Sequence, residues 1–275
     1  MPKNPQLDTN QLSRAFITAL EEGNIEDAKT LLQQGEDVRF RDKGKNATLL
    51  YFADQGQTEF VKMLLRCGAD INHANNEGKT ALMMALIKKK EETVNFLLSI
   101  PGIEVNNADK EGNTALIIAA TYGYEKIVKL LLTNGAKSNH AKFEGSTALI
   151  LAAVHGYKEI VKLLLEEGAD INHANAKGKT ALLYAVEQGQ TEVVELLLNG
   201  ADVNHTNAEG NTALIIAAAQ GYEKIVKLLL KKVADVNHTN LDGQTATEIA
   251  ITMKNKKIVS LLLEYEKKRM MQKKQ

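Results

Sequence analysis

All 19 glycines of this 275-residue chain fall on three recurring positions, and that regularity limits the fold more than any other feature. The first set is Gly44, Gly78, Gly112, Gly145, Gly178, Gly210 and Gly243, spaced 34, 34, 33, 33, 32 and 33 residues apart. A period of about 33 means stacked copies of one small unit. The second set, Gly23, Gly56, Gly123, Gly156, Gly189 and Gly221, follows 11 or 12 residues behind the first. The third set, Gly35, Gly68, Gly102, Gly135, Gly168 and Gly200, trails by a similar interval. Three backbone positions per unit are therefore expected to use glycine's freedom at positive φ.

Between these marks the apolar spacing is helical. Leu149, Ala152 and Ala153, then Ile160, Val161, Leu164 and Leu165, recur at three- and four-residue intervals, the pattern of two short amphipathic helices. Thr80, Thr114, Thr147, Thr180, Thr212 and Thr245, each two residues after a first-set glycine, are placed to cap the first helix of each pair. A third-set glycine after Leu-Leu-Leu is placed to end the second. Ala169 to His173, followed by Gly178, reads as an extended finger with a tight turn that leads into the next unit. With aromatics at only 5% and no Trp, the core must come from Leu, Ile, Val and Ala.

The unit Glu144 to Leu149, Ala152-Ala153, Gly156, Ile160-Val161, Leu163 to Leu165 and Gly168 to Asn172 resembles the ankyrin repeat family, and the resemblance runs over about residues 11 to 265. It implies an all-α fold, an ankyrin-type repeat solenoid of about eight helix-turn-helix units joined by β-hairpin-like fingers. The implied units are 11–41, 42–75, 76–108, 109–141, 142–174, 175–206, 207–239 and 240–265, one repeat domain flanked by a flexible segment 1–10 and a basic tail 266–275. The family's proline and histidine at the start of the first helix are missing, replaced by Thr-Ala-Leu and an apolar residue. That gives up a preorganised turn and local hydrogen bonds of the finger. At the ends, the first unit carries polar residues among its apolar ones and the last has Lys254 where the second glycine belongs, as expected of caps that face water.

Motifs that carry chemistry reduce to repeat positions. Gly78-Lys79-Thr80 and Gly178-Lys179-Thr180 look like the end of a phosphate loop, but His73 and His173 stand where its earlier glycine belongs, and other units read Gly112-Asn113-Thr114 and Gly145-Ser146-Thr147. They are read as hairpins. His73, His140, His173, His205 and His238 share one position, and stacked helices about 10 Å apart cannot bring such a ladder onto one metal ion. These histidines are expected to be structural or solvent-exposed, while His155 lies elsewhere, between the helices of its unit. No catalytic constellation, metal site or cofactor motif is found, so the chain is not expected to be an enzyme. Sequons occur at Asn46, Asn204 and Asn237, but the N-terminal residues lack the apolar run of a signal peptide and no run is long enough to span a membrane. Cys67 has no second cysteine to pair with, which suits a reducing compartment, and a cytoplasmic location is expected.

The chain is neutral overall, but Lys254 to Gln275 hold eight basic and two acidic residues. That tail is read as a solvated extension of the last helix, with a nuclear address or polyanion contact as the other readings. The resemblance implies a monomeric protein-binding module that uses finger tips and first helices as a concave surface. By repeat position this selects Asn113, Thr121, Tyr122, Phe143, Ser146, Val154, His155, Lys179, Glu187, Gln188, Asn211 and Gln220, with Tyr122, Phe143 and His155 as anchors. An alternative is a bacterial effector acting on host proteins, in host cytoplasm, through the same surface. A nucleic-acid adaptor working through the tail is a further one. Segments Leu64 to Asn72, Leu164 to Asn172, Leu196 to Asn204 and Leu229 to Asn237 also resemble targets of ankyrin-directed asparaginyl hydroxylases, which marks Asn72, Asn172, Asn204 and Asn237 for modification.

Overall fold

The computed structural model describes residues 24–33, 48–66 and 68–272, together with Ala15, Phe16, Thr18, Ala19 and Glu22. The expected leader 1–10, much of the first expected unit, Gly23, Gly35, Gly44, Asn46, Cys67 and the end of the tail at 273–275 lie outside the described residues. Two compact bodies, residues 1–110 and 111–275, are described separately.

The first body holds α1 (Ile25–Gln33), α2 (Thr48–Gln55), α3 (Thr58–Arg66), α4 (Ala81–Ile87) and α5 (Glu91–Leu98). Here α2 pairs with α3 and stacks on α4, while α4 pairs with α5 and α3 stacks on α5. The second body repeats that plan with α6 (Ala115–Tyr122), α7 (Glu125–Thr133), α8 (Ala148–His155), α9 (Lys158–Glu166), α10 (Ala181–Glu187), α11 (Thr191–Leu197), α12 (Ala213–Gln220), α13 (Glu223–Lys231), α14 (Ala246–Thr252) and α15 (Lys256–Gln272). First helices α6, α8, α10, α12 and α14 stack in order, and second helices α7, α9, α11, α13 and α15 stack behind them. A first helix inside the stack has a helix on either side and its own partner behind it, so it must be apolar almost all round. In α8, between α6 and α10, residues Ala148, Leu149, Ile150, Ala152 and Ala153 are buried accordingly. Second helices bury one stripe only, such as Val161 and Leu164 or Val226 and Leu229. Among the described residues no helix is long and apolar enough to cross a membrane.

The capping threonines behave as their spacing implies. Each of Thr80, Thr114, Thr147, Thr180, Thr212 and Thr245 accepts a hydrogen bond from the backbone amide three residues on. A cap of this kind stabilises a helix by about 1 kcal/mol, and helices of seven or eight residues would not stand alone. At α14 the cap becomes reciprocal, since the Glu248 carboxylate accepts from the amide and hydroxyl of Thr245. Those two bonds hold the Glu248 pKa below its usual value. Stability from this contact is present at neutral pH and is lost as pH falls through the lowered pKa.

The ends of the second helices separate glycines required by the backbone from one that is not. Gly135 and Gly168 sit at φ +81 and +74, and the next amides, of Ala136 and Ala169, donate back to Leu131 and Leu164. Gly200 does not take positive φ, contrary to expectation, because its unit is one residue shorter. The amide of Ala201 reaches Leu197 within an ordinary helical turn instead, so no left-handed residue is needed. Val233 shows the converse, holding φ +61 with a β-branched side chain that is 60% exposed. That conformation crowds its Cβ against the carbonyl that follows, and little apolar burial offsets the strain. Val233→Gly is expected to raise stability by about 1 kcal/mol, read as a higher denaturant midpoint at unchanged slope. An unchanged or lower midpoint would show that the strain is relieved elsewhere.

Candidate functional site

The fingers of the second body are fastened to one another by three sets of bonds. The amides of Phe143, Ala176, Ala208 and Leu241 donate to the carbonyls of Glu111, Glu144, Lys177 and Glu209 on the preceding finger, at 3.1, 3.0, 3.1 and 3.2 Å. Nε2–H of His140, His173, His205 and His238 donates to the carbonyl of the preceding first-set glycine, Gly112, Gly145, Gly178 and Gly210, at 3.0, 2.8, 2.9 and 2.9 Å. Asn139, Asn172 and Asn204 accept through Oδ1 from the amides of Asp170, Asp202 and Asp235 one unit on. The repeated histidine is thus structural. It ties each finger to the one before it.

In four of the fingers, at Asn75, Asn175, Asn207 and Asn240, an asparagine shapes the turn. Oδ1 of Asn175 accepts from the amides of Lys177 and Lys179, and that of Asn207 from those of Glu209 and Asn211. This is the local side-chain-to-backbone bonding that favours asparagine in turns. Its sequence signal was available, since Asn75, Asn175, Asn207 and Asn240 all stand three residues before a first-set glycine.

The expected binding residues divide into those presented to solvent and those engaged within the fold. Phe143 stands 80% exposed at its finger tip. Tyr122 is 48% exposed and stacks on Tyr124, with centroids 5.7 Å apart and planes at 19°. His155 is exposed and leans on Tyr157 at 5.6 Å. A Cβ placed on Gly123 would lie 2.7 Å from Cζ of Tyr157, so that glycine leaves room for the ring beneath His155 as well as allowing the turn. Gln188 and Gln220 are exposed at the ends of α10 and α12. Asn113, Thr121, Val154 and Asn211 are half-buried. The Thr121 hydroxyl donates to the Ile117 carbonyl, and Oδ1 of Asn211 accepts from Asn240.

Ser146, Lys179 and Glu187 belong to one internal network. Ser146 is only 5% exposed, and Asn175 Nδ2 points to its hydroxyl at 3.4 Å and to the Tyr184 hydroxyl at 2.9 Å. A serine side chain is short enough to sink between two fingers, which is why its repeat position alone misplaces it at the surface. Lys179 Nζ lies 2.9 and 2.8 Å from the two Glu187 oxygens and 5.2 Å from the Tyr184 ring centroid, so both charges are already matched. Leu241 is the exposed residue that repeat reasoning passed over. It occupies the same finger position as Phe143, two before the glycine, and is 79% exposed, with Ala176 and Ala208 exposed between them.

Comparison with known proteins agrees with this architecture. The family model for ankyrin repeats in three copies matches residues 16–109, 49–142, 91–175, 137–207 and 182–273. A probable E3 ubiquitin-protein ligase, XBOS32 of Oryza sativa subsp. japonica, is 28% identical over 121 residues, 43% of this chain and 24% of the ligase. The E3 ubiquitin-protein ligase XBAT32 of Arabidopsis thaliana is 39% identical over 72 residues, 26% of this chain and 14% of the ligase. The chain thus spans about a quarter or less of these two relatives. The Notch-regulated ankyrin repeat-containing protein of Homo sapiens is 32% identical over 94 residues, which cover 32% of this chain and 82% of that protein.

Proposed function

Because the chain belongs to the ankyrin repeat family, we propose that it is a non-catalytic module that binds a partner protein in the cytoplasm through the fingers and first helices of its second body. The observation that carries this reading is the row of exposed finger tips, Phe143, Ala176, Ala208 and Leu241, backed by the supported rings of Tyr122 and His155. Large apolar side chains held out on a bonded frame cost free energy unless a partner covers them, and rigid aromatic anchors concentrate interface energy. Gln188 and Gln220 would line the same surface. Ser146, Lys179 and Glu187 would support it from within. The test is affinity capture of proteins by the full chain, repeated with Lys129, Lys162 and Lys227 on the second helices all changed to alanine. The same partner is expected on both, since those exposed lysines lie on the other side of the stack. Loss of the partner with the lysine variant would place binding on the second helices.

The fingers are also proposed targets of asparagine hydroxylation, in a stated order. Asn72, Asn172 and Asn204 have their Oδ1 atoms engaged by the amides of Glu104, Asp202 and Asp235. The exposed Asn237 makes no such bond among the described residues. An enzyme must surround its target side chain, and at Asn237 no inter-unit bond has to open first. Incubation with an ankyrin-directed asparaginyl hydroxylase is expected to add the mass of one oxygen at Asn237 before the other three. Peptide maps without a gain at any of the four would end the proposal.

A further inference from the structure

Two second helices of the second body run into an Asn-Gly pair, Asn134-Gly135 after α7 and Asn199-Gly200 after α11. The sequence holds no other such pair. An asparagine side chain is most open to attack by its own backbone when glycine follows, because no Cβ shields the nitrogen that must reach Cγ.

The backbone closes both turns in much the same way. The amides of Gly135 and Gly200 donate to the carbonyls of Leu132 and Leu197 at 3.0 and 3.1 Å, and those of Ala136 and Ala201 donate to Leu131 and Leu197. The side chains differ. Nδ2 of Asn134 donates to the Leu130 carbonyl at 2.8 Å, whereas Nδ2 of the exposed Asn199 has no partner among the described residues. Oδ1 of Asn199 accepts instead from Lys232 Nζ of the next unit, at 3.4 Å. In the unit after Asn134 the repeat position of Lys232 is held by Glu167, so the charge there has the opposite sign.

We propose that Asn199-Gly200 is a site of spontaneous deamidation, at which the chain is its own substrate, water is the co-reactant and Lys232 assists. The turn opens locally, as exposed helix ends do at small cost. The Gly200 nitrogen loses its proton to solvent base and bonds to Cγ of Asn199, and Oδ1 takes the negative charge of the tetrahedral adduct beside the Lys232 ammonium. The bond from Cγ to Nδ2 then breaks, and Nδ2, held by no hydrogen bond, takes a proton from water and leaves as ammonia. Water opens the resulting five-membered imide at either carbonyl and gives aspartate or isoaspartate at position 199. At Asn134 the departing nitrogen is tied down and a carboxylate holds the place of the ammonium, so that pair is the slower one. The new carboxylate at 199 faces Lys232 and turns a neutral contact between two units into an ion pair. None of this rests on the finger surface proposed for the partner.

The experiment is incubation of the full, folded chain at mildly alkaline pH, with peptide maps over time for the mass gained when NH2 is replaced by OH. Asn199 is expected to convert at least about tenfold faster than Asn134, which serves as the reference inside the same molecule. Lys232→Gln is expected to lower that ratio, and Lys232→Arg, which keeps the charge, to preserve most of it. Gly200→Ala, whose Cβ would meet nothing nearer than Ile171 Cδ1 at 3.5 Å, is expected to slow Asn199 by about tenfold or more with melting unchanged. In denaturant the two rates are expected to converge. Equal rates in the folded chain, or a ratio that Lys232→Gln leaves unchanged, overturn the proposal. So does a ratio that persists in denaturant, which would trace it to chain neighbours and not to the fold.

Discussion

Changing Tyr122, Phe143 and His155 together to alanine is expected to abolish partner binding and leave the fold standing. These side chains are exposed, and the two rings on helices touch chiefly one supporting tyrosine each. Exposed substitutions shift stability by about 0.5 kcal/mol or less, while loss of an interface anchor costs about 2 kcal/mol or more. Three anchors together weaken affinity by about 10⁴-fold or more, far beyond any effect of partial unfolding. Titration of the captured partner against wild type and variant, with melting curves beside it, reads both quantities. Retention of native affinity by the triple variant would remove the finger and first-helix surface from consideration.

The glycines offer a second large effect, and one that separates backbone strain from crowding. Gly112 and Gly135 both stand at φ +81. A Cβ on Gly112 would lie 2.9 Å from Lys142 Cα and 3.0 Å from the Phe143 amide nitrogen, whereas nothing lies within 4 Å of one on Gly135. Gly135→Ala therefore carries only the cost of a left-handed alanine, about 1 kcal/mol. Gly112→Ala adds a clash with the backbone of the next finger, which the inter-finger bonds hold in place, for a total of about 3 kcal/mol. At Gly200 φ is not positive and the nearest contact would be an ordinary 3.5 Å to Ile171 Cδ1, so alanine there is expected to be neutral or stabilising by up to about 0.5 kcal/mol. Denaturant midpoints for the three variants give the ranking. Equal losses at Gly112 and Gly135 would mean that the fingers yield and that their bonding is weaker than its geometry suggests.

Much of the fold was legible because a repeat states each structural requirement several times over. Threonine two residues after the hairpin glycine caps a helix whatever surrounds it, since the bond it accepts is only three residues away. The left-handed turns were equally local, whereas the position of Val233, where other units carry a glycine, left open whether its backbone is strained or its unit ends differently, and its φ of +61 decides for strain. Gly200 was misread because the letter was the same while the spacing had shortened by one residue, and spacing decides which carbonyl an amide can reach.

The proposed binding surface was less legible. Repeat position identifies which side of a unit a residue leaves from, and it matches the exposure of Phe143, Tyr122 and His155. It failed for Ser146, which sinks against Asn175, and it could not reveal that Lys179 and Glu187 neutralise each other over Tyr184. It also passed over Leu241, although the equivalence to Phe143 was there to be seen.

What the sequence determined by itself, then, was the unit: two helices, a cap, left-handed turns and a finger, each set by bonds between residues a few positions apart. Only the tertiary structure decided how neighbouring units use one another, as in the histidine and asparagine ladders about 30 residues apart in the chain. The physical reason is that a local turn is specified by its own backbone torsions and nearest hydrogen bonds. Whether a side chain is a surface or a strut depends on what the next unit places against it.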